Sequence, residues 1–323
     1  MSATASAAVV VAEVVRSGFV EGHHHGSVVA LAADGTPSWS VGDVTSPALP
    51  RSCNKPLQAL GMVRLGLDLP PELLALACAS HSGEPFHLDG VRRILELGGL
   101  DETALQNVTD YPLDDVARTA AIRAGDEPSR LAMNCSGKHA AMLLTCVVNG
   151  WDIATYLSPD HPLQQGIAAD FAKLTGEPIE VTAVDGCGAP LLSTSLTGLA
   201  RGFRALAVAT EGPEHRVAQA IREQPAYVSG STRDELKLLT AIPGAIGKAG
   251  AEACYAVALA DGRSFALKID DGGARARPVV MAEALRRGGV PTEPGVDAEA
   301  LDDTGRVPVL GAGEPVGEIR AAF

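Results

Sequence analysis

Apolar residues alternate or run together near both ends of the chain and take helical spacing through its middle. Residues 8–16 and Ser27-Val28-Val29-Ala30-Leu31-Ala32 read as strands, and Asp34-Gly35 reads as a hairpin turn into 37–41. Arg16, Glu21 and His24 fall between the first two strands and read as a solvated turn. From Lys55 the period changes. Leu57, Leu60 and Val63 share a helical face, and Gly61 lets a neighbour come close. Pro70-Pro71 opens a second apolar segment that ends in Cys78-Ala79-Ser80-His81-Ser82-Gly83-Glu84, the small polar composition of a loop at a cavity edge. Phe86, Val91, Ile94 and Leu95 give a helix over 85–97 its apolar face, and Ser82 could cap it or serve chemistry. Residues 101–130 are polar, with helical turns and no clear boundary.

Further on, Ser136 reads as the N-cap of a helix through Met142, Leu143 and Val147 to Asn149-Gly150. A helix from Asp160 carries Pro162 in its first turn and Gly176 beyond its end. Glu180-Val181-Thr182-Ala183-Val184 is a strand running into Asp185-Gly186-Cys187-Gly188-Ala189-Pro190, where two glycines make a tight exposed turn around the cysteine. Helices are expected at 213–223 and 233–240. Gly247-Lys248-Ala249-Gly250 then leads into strands over 253–259 and 265–269, joined at Asp261-Gly262 and pairing with the N-terminal strands. A last helix spans 278–287, and Val316 to Ala321 adds a strand. The layout is α+β: one antiparallel sheet, from about 1–50 and 245–323, flanked by helices, with a helical subdomain (about 51–244) inserted in a single domain.

Composition narrows the functional classes. The 323 residues suffice for one large domain or two modest ones, and 46% of them are apolar, so a sizeable core can form. With 26 basic against 39 acidic residues the net charge is -13, which argues against nucleic acid and anionic membrane as partners. No apolar run has the length of a membrane-spanning helix. The start, Met1-Ser2-Ala3-Thr4-Ala5, lacks basic residues and Glu13 interrupts the apolar run behind it, a poor secretion signal. Six scattered cysteines suit reduced thiols in a cytoplasmic protein.

Arg51-Ser52-Cys53-Asn54-Lys55-Pro56 carries the first candidate chemistry. Ser52 and Lys55 stand three apart, so on a helix hydroxyl and amine share one face. A neutral lysine can take the serine proton and make it a nucleophile. Pro56 restricts the pair to the helix start, where the positive end of the helix favours developing negative charge. Lys138 in the first turn of its helix is electrostatically unfavourable, which invites a functional reading. Cys135 and Cys187 could bind a soft metal together, although two lone cysteines some fifty residues apart are a poor zinc signal beside paired knuckles.

The Ser52/Lys55 pair and a later Lys248/Gly250 entering a strand resemble the skeleton of the serine β-lactamases and penicillin-binding proteins. In that arrangement Lys248 on the edge strand faces the serine, depresses the amine pKa of Lys55 and holds a substrate carboxylate. R-S-x-x-K-P, C-A-S-H-S, N-C-S-G-K-H, D-G-C and G-K-x-G in this order resemble the rhizobial-type L-asparaginases, the thermolabile class of asparaginase II. That family is similar in fold to serine β-lactamases and glutaminases and works as a dimer. The resemblance implies hydrolysis of the asparagine side-chain amide, with Ser52–Lys55 and Ser80–Lys248 as two Ser-Lys pairs. It also implies a zinc set of Cys135, Lys138 and Cys187 that shapes the pocket and orients substrate, and Arg51, His139 and Asp185 near the substrate. The match is poorest over 101–130 and in the C-terminal segment, the N-terminal histidine cluster is longer, and Gly188-Ala189 replaces bulkier polar residues.

Spacing does not decide which serine attacks. Ser52 is favoured by its place at the helix start, with Ser80 relaying protons or positioning. Other readings stay open. Glutamine differs from asparagine by one methylene, worth only about 1–3 kcal/mol of discrimination. A β-lactam is less favoured because no S-x-N element suited to it stands out. A non-catalytic amino-acid or zinc sensor would not need two Ser-Lys pairs.

Overall fold

The computed structural model describes residues 9–323. The segment Met1 to Ala5 and residue 8 of the expected first strand lie outside the described residues. The strands are β1 (Val9–Arg16), β2 (Phe19–Leu31), β3 (Pro37–Val41), β4 (Thr182–Val184), β5 (Pro190–Leu192), β6 (Ile246–Ala249), β7 (Cys254–Ala258), β8 (Ser264–Ile269), β9 (Val307–Gly311) and β10 (Glu314–Ala321). One eight-stranded sheet runs in the order β6-β7-β8-β2-β1-β10-β9, with β3 paired to the far end of β2. Its pairings are antiparallel. β4 and β5 form a separate small ribbon. The main sheet is thus built from the two ends of the sequence; of the helices between β3 and β6, Leu196–Ala207, Gly212–Glu223 and Asp234–Ala241 pack on it, and the earlier ones pack mainly on other helices. The fold is α+β, as expected.

Every residue of β7 is buried, although neighbours along a strand point to opposite faces, so both faces of the sheet are covered there. The helices Leu196–Ala207 and Ala276–Arg287 pack on these central strands. The first of them escaped the sequence reading. Its signal was nonetheless present: Ser195 caps it by accepting from the Gly198 N–H, and Leu196, Leu199, Ala200, Phe203 and Leu206 are all buried. Also unforeseen were β9 and the short helix Ala298–Thr304. Among the described residues no helix is long and apolar enough to cross a membrane.

Three local expectations are corrected. The stretch expected as a turn around Glu21 and His24 is strand: β2 begins at Phe19, and only Ser17 and Gly18, with φ 48° and 83°, make the turn. Period-two alternation does exist there, but its inward positions hold His24 and Gly26 rather than aliphatic residues, which hides it. Arg16 and Glu21 pair across the turn at 2.7 Å, and His24 is buried against Asp271. Second, Ser82 does not cap the helix Pro85–Leu97, whose N-cap is Glu84; the Ser82 hydroxyl is buried without a partner among the described residues. Third, the N-cap expected at Ser136 is Cys135, and the helix expected from Asp160 begins at Pro162 with His161 as its N-cap.

Candidate active site

Ser52 lies in a tight helical turn, Arg51–Asn54, that feeds the helix Lys55–Arg64 with Pro56 in its first turn. Arg51 opens this turn at φ 52°, a left-handed conformation costly for a residue with a side chain. Gly250 explains how the turn meets the sheet. A Cβ there would lie 2.8 Å from the Cys53 amide nitrogen and from the Pro50 carbonyl, so only glycine lets this strand end pass so close. Ser80 sits in the loop after the helix Pro71–Ala77, as its small polar composition suggested. Ser52 and Ser80 line the same cavity, of about 450 Å³, with Asn134, Arg233, Gly250 and Arg277 among its walls.

Both expected amines are buried behind these serines. Lys55, without solvent exposure, donates to the Ala79 carbonyl at 2.5 Å, to Ser80 Oγ at 3.0 Å and to Cys135 Sγ at 3.1 Å. Lys248, also unexposed, donates to Glu235 Oε1 at 2.8 Å and to the Ala249 carbonyl at 2.5 Å. This changes the expected pairing. Lys55 reaches Ser80 rather than standing as the hydrogen-bonded partner of Ser52, and the side-chain partner of Lys248 is a carboxylate rather than Ser80. The physical reason is reach. Lys55 begins its helix under the Ser80 loop, whereas a buried ammonium on β6 without an anion would be far costlier than the ion pair it makes. Burial, Arg233 and Lys55 draw the Lys248 pKa down to about 8, against the upward pull of Glu235.

On the other flank stand the sulfur residues. Cys135 and Cys187 are buried, and Lys138 donates to Cys187 Sγ at 3.2 Å. Cys135, then Lys138 and His139, draw the Cys187 thiol down against the cost of its burial, while Cys187 and burial push the Cys135 thiol up. Burial works against the charge on Lys138, but Cys187, Cys135 and Asp185 outweigh it and raise the ammonium's pKa. Two sulfurs and one amine suit a soft cation such as zinc, which would have to displace the lysine proton. The donors fit only with the lysine counted: among the described residues no three His, Cys, Asp or Glu side chains gather for a metal.

The three residues expected near substrate are placed less directly. Arg51 Nε donates to Asp185 Oδ1 at 2.7 Å, and Arg51 Nη1 lies 3.6 Å from Glu252, a cavity wall. His139 is buried, its Nδ1 2.7 Å from the Tyr156 hydroxyl, and among the described residues its Nε2 has no hydrogen-bond partner. It is not part of the cavity wall.

Glu235, Arg233 and Arg277 were not foreseen. Arg233-Asp234-Glu235 reads as an ordinary acidic helix start, and nothing local marks one of its carboxylates as buried. Glu235 has no exposure; burial would raise its pKa, but Lys248, Arg233 and Arg277 lower it to about 2. Arg277 donates to both oxygens of Asp234 at 2.8 Å and lies over the Tyr255 ring.

The sequence model of the family described as L-asparaginase II matches residues 12–321, including the segment 101–130 and most of the C-terminal segment. No curated protein matches the chain in sequence. Solved structures similar to it include the hydrolase EstCE1, with promiscuous acyltransferase activity, at 13% identity and TM-score 0.41, covering 80% of this chain and 93% of that one. A β-lactamase from Mycobacterium bovis is similar at 12% identity and TM-score 0.37, covering 81% and 94%. A Bacillus subtilis glutaminase in covalent complex with 5-oxo-L-norleucine is similar at 13% identity and TM-score 0.38, covering 82% and 88%.

Proposed function

The chain belongs to the L-asparaginase II family and is an amidohydrolase, and from that premise we propose that it converts L-asparagine to L-aspartate and ammonia through a Ser-Lys activated serine. The observation that carries this reading is the meeting of Ser52 and Ser80 in one cavity, with the Lys55 amine bonded to one of them. Ser52 Oγ attacks the side-chain carboxamide carbon at the start of its helical turn, where backbone N–H groups favour the developing oxyanion. The hydroxyl proton travels by way of Ser80 and Lys55 to the leaving nitrogen, which departs as ammonia. Water then attacks the acyl ester, returning the proton by the same route and releasing aspartate. A second assignment, with Ser80 as nucleophile, draws support from its 3.0 Å contact with Lys55.

Zinc would be held by Cys135, Lys138 and Cys187, where its charge would shape the pocket wall and help orient the substrate. Arg51 and Asp185, paired beside the cavity, keep the wall that Glu252 contributes. We further propose a cytoplasmic homodimer. An ammonia-release assay with asparagine, glutamine and a chromogenic β-lactam, with and without chelator, tests the reading. Turnover of asparagine above the other two supports it; turnover of the β-lactam alone, or of none, overturns it.

A further inference from the structure

Glu235 is a fully buried carboxylate whose two oxygens face two different parts of the site. Oε1 accepts from Lys248 Nζ and from the Ala249 N–H, both at 2.8 Å, fastening the edge strand β6. Oε2 lies 2.7 Å from Arg233 Nη2, an ion-pair contact in which no N–H points at the oxygen. The same guanidinium donates through Nη1 to the main-chain carbonyl of Ser80 at 2.7 Å and walls the cavity. A continuous line thus runs from the amine of β6 through a carboxylate and a guanidinium to the backbone of the serine loop. Glu235 sits in the first turn of its helix, where the helix dipole also favours an anion.

We propose that Glu235 is a positioning residue of the catalytic site, clamping Lys248 and, through Arg233, the Ser80 loop at a set separation and holding Lys248 in its proton-sharing state. The catalytic meaning of the clamp rests on the amidohydrolase mechanism above; the clamp itself does not. The groups that face Lys248 are Glu235 and Arg233 at the start of one helix, Lys55 at the start of another, and the buried Cys53 and Cys78 thiols. Only Glu235 is anionic among them, because burial raises both thiols. Removing its charge therefore makes Lys248 a weaker base, and removing Arg233 makes it a stronger one.

Lysine carrying a ¹³C label at Cε, with the Lys248 signal assigned by its loss in Lys248→Met, reports the Lys248 titration by NMR in the intact protein. Glu235→Gln should move the midpoint down, and Arg233→Met should move it up, each by about one unit. The pH limb of ammonia release that follows Lys248 should move in the same two directions, with kcat falling more than KM rises. A structural role alone lowers activity without moving the limbs in opposite senses. Should Glu235→Gln fail to fold, the upward move in the less buried Arg233→Met decides. An unmoved Lys248 midpoint overturns the clamp even when the wild type releases ammonia. A wild type that releases none overturns the mechanism and leaves the NMR comparison to judge the clamp.

Discussion

The cavity has two flanks that use buried lysine in different ways. On one, Lys55 and Lys138 face sulfur: Cys135 lies 3.1 Å from Lys55, and Cys187 lies 3.2 Å from Lys138. On the other, Lys248 faces the oxygen of Glu235 at 2.8 Å, with Arg233 and Arg277 beyond. A thiol is a polarizable donor that can exchange its proton for a soft metal, which is the use proposed for the sulfur flank. A carboxylate held at about 2 keeps its charge at any ordinary pH, so the oxygen flank is a permanent counter-charge. The contrast teaches that burying an amine does not by itself define its task. The acceptor opposite it decides whether it relays a proton, shares a metal site or stays bolted to a strand.

The sharpest way to break this picture is to remove the group both flanks serve. Ser52→Ala should lower ammonia release by about 10⁴-fold or more, the scale of losing a nucleophile. Ser80→Ala should lower it by about 10²–10⁴-fold, the scale of lost acid–base help. Full turnover by Ser52→Ala would transfer the nucleophile to Ser80, the serine that Lys55 touches. Initial rates at saturating and limiting asparagine separate the two cases.

Acid should expose the oxygen flank next. Glu235 drops to about 2 from an ordinary 4.5, so its charge stabilises the fold above pH 4.5, and that contribution is lost as pH falls from 4.5 toward 2. The loss is worth about 3 kcal/mol. Urea unfolding across this window should show the decline in the wild type and a flatter profile in Glu235→Gln. Lys248 slopes the same way in a higher pH window, as the relief of a penalty rather than the gain of a stabilising charge. Its pKa is lowered from 10.5 to about 8, so the native state sheds its proton first, and this group favours folding more as pH rises across that interval.

Two glycines compare the flanks by packing. A Cβ at Gly250 meets backbone beside Cys53, and one at Gly137 would come within 2.6 Å of the Leu76 carbonyl. Gly250→Ala and Gly137→Ala should each destabilise by about 1–3 kcal/mol in urea unfolding. Metal removal is the gentlest probe. Chelation should raise KM for asparagine more than it lowers kcat and should leave Glu235→Gln and wild type equally affected. A chelator that abolishes kcat without touching KM would make the metal a direct participant.

Much of the fold was legible in local pattern. The sheet ends, the helices Lys55–Arg64, Pro85–Leu97, Ser136–Asn149 and Pro162–Thr175, and the hairpin of β7 and β8 follow from apolar spacing, prolines and glycines that act within a few residues. So do the positions of Ser52, Lys55 and Ser80, since R-S-x-x-K-P and C-A-S-H-S carry them whatever surrounds them. Strand β2 was missed at its histidines because burial of His24 depends on Asp271 and Arg275, more than two hundred residues away. The same reason governs the chemistry. Which amine meets which acceptor is set by contacts such as Lys55 to Cys135 and Lys248 to Glu235, between elements that share no local pattern. The sequence by itself determined the identity of the reactive groups. Only packing decided their partners, because the cost of a buried charge is paid by whatever the fold brings within about 3 Å of it.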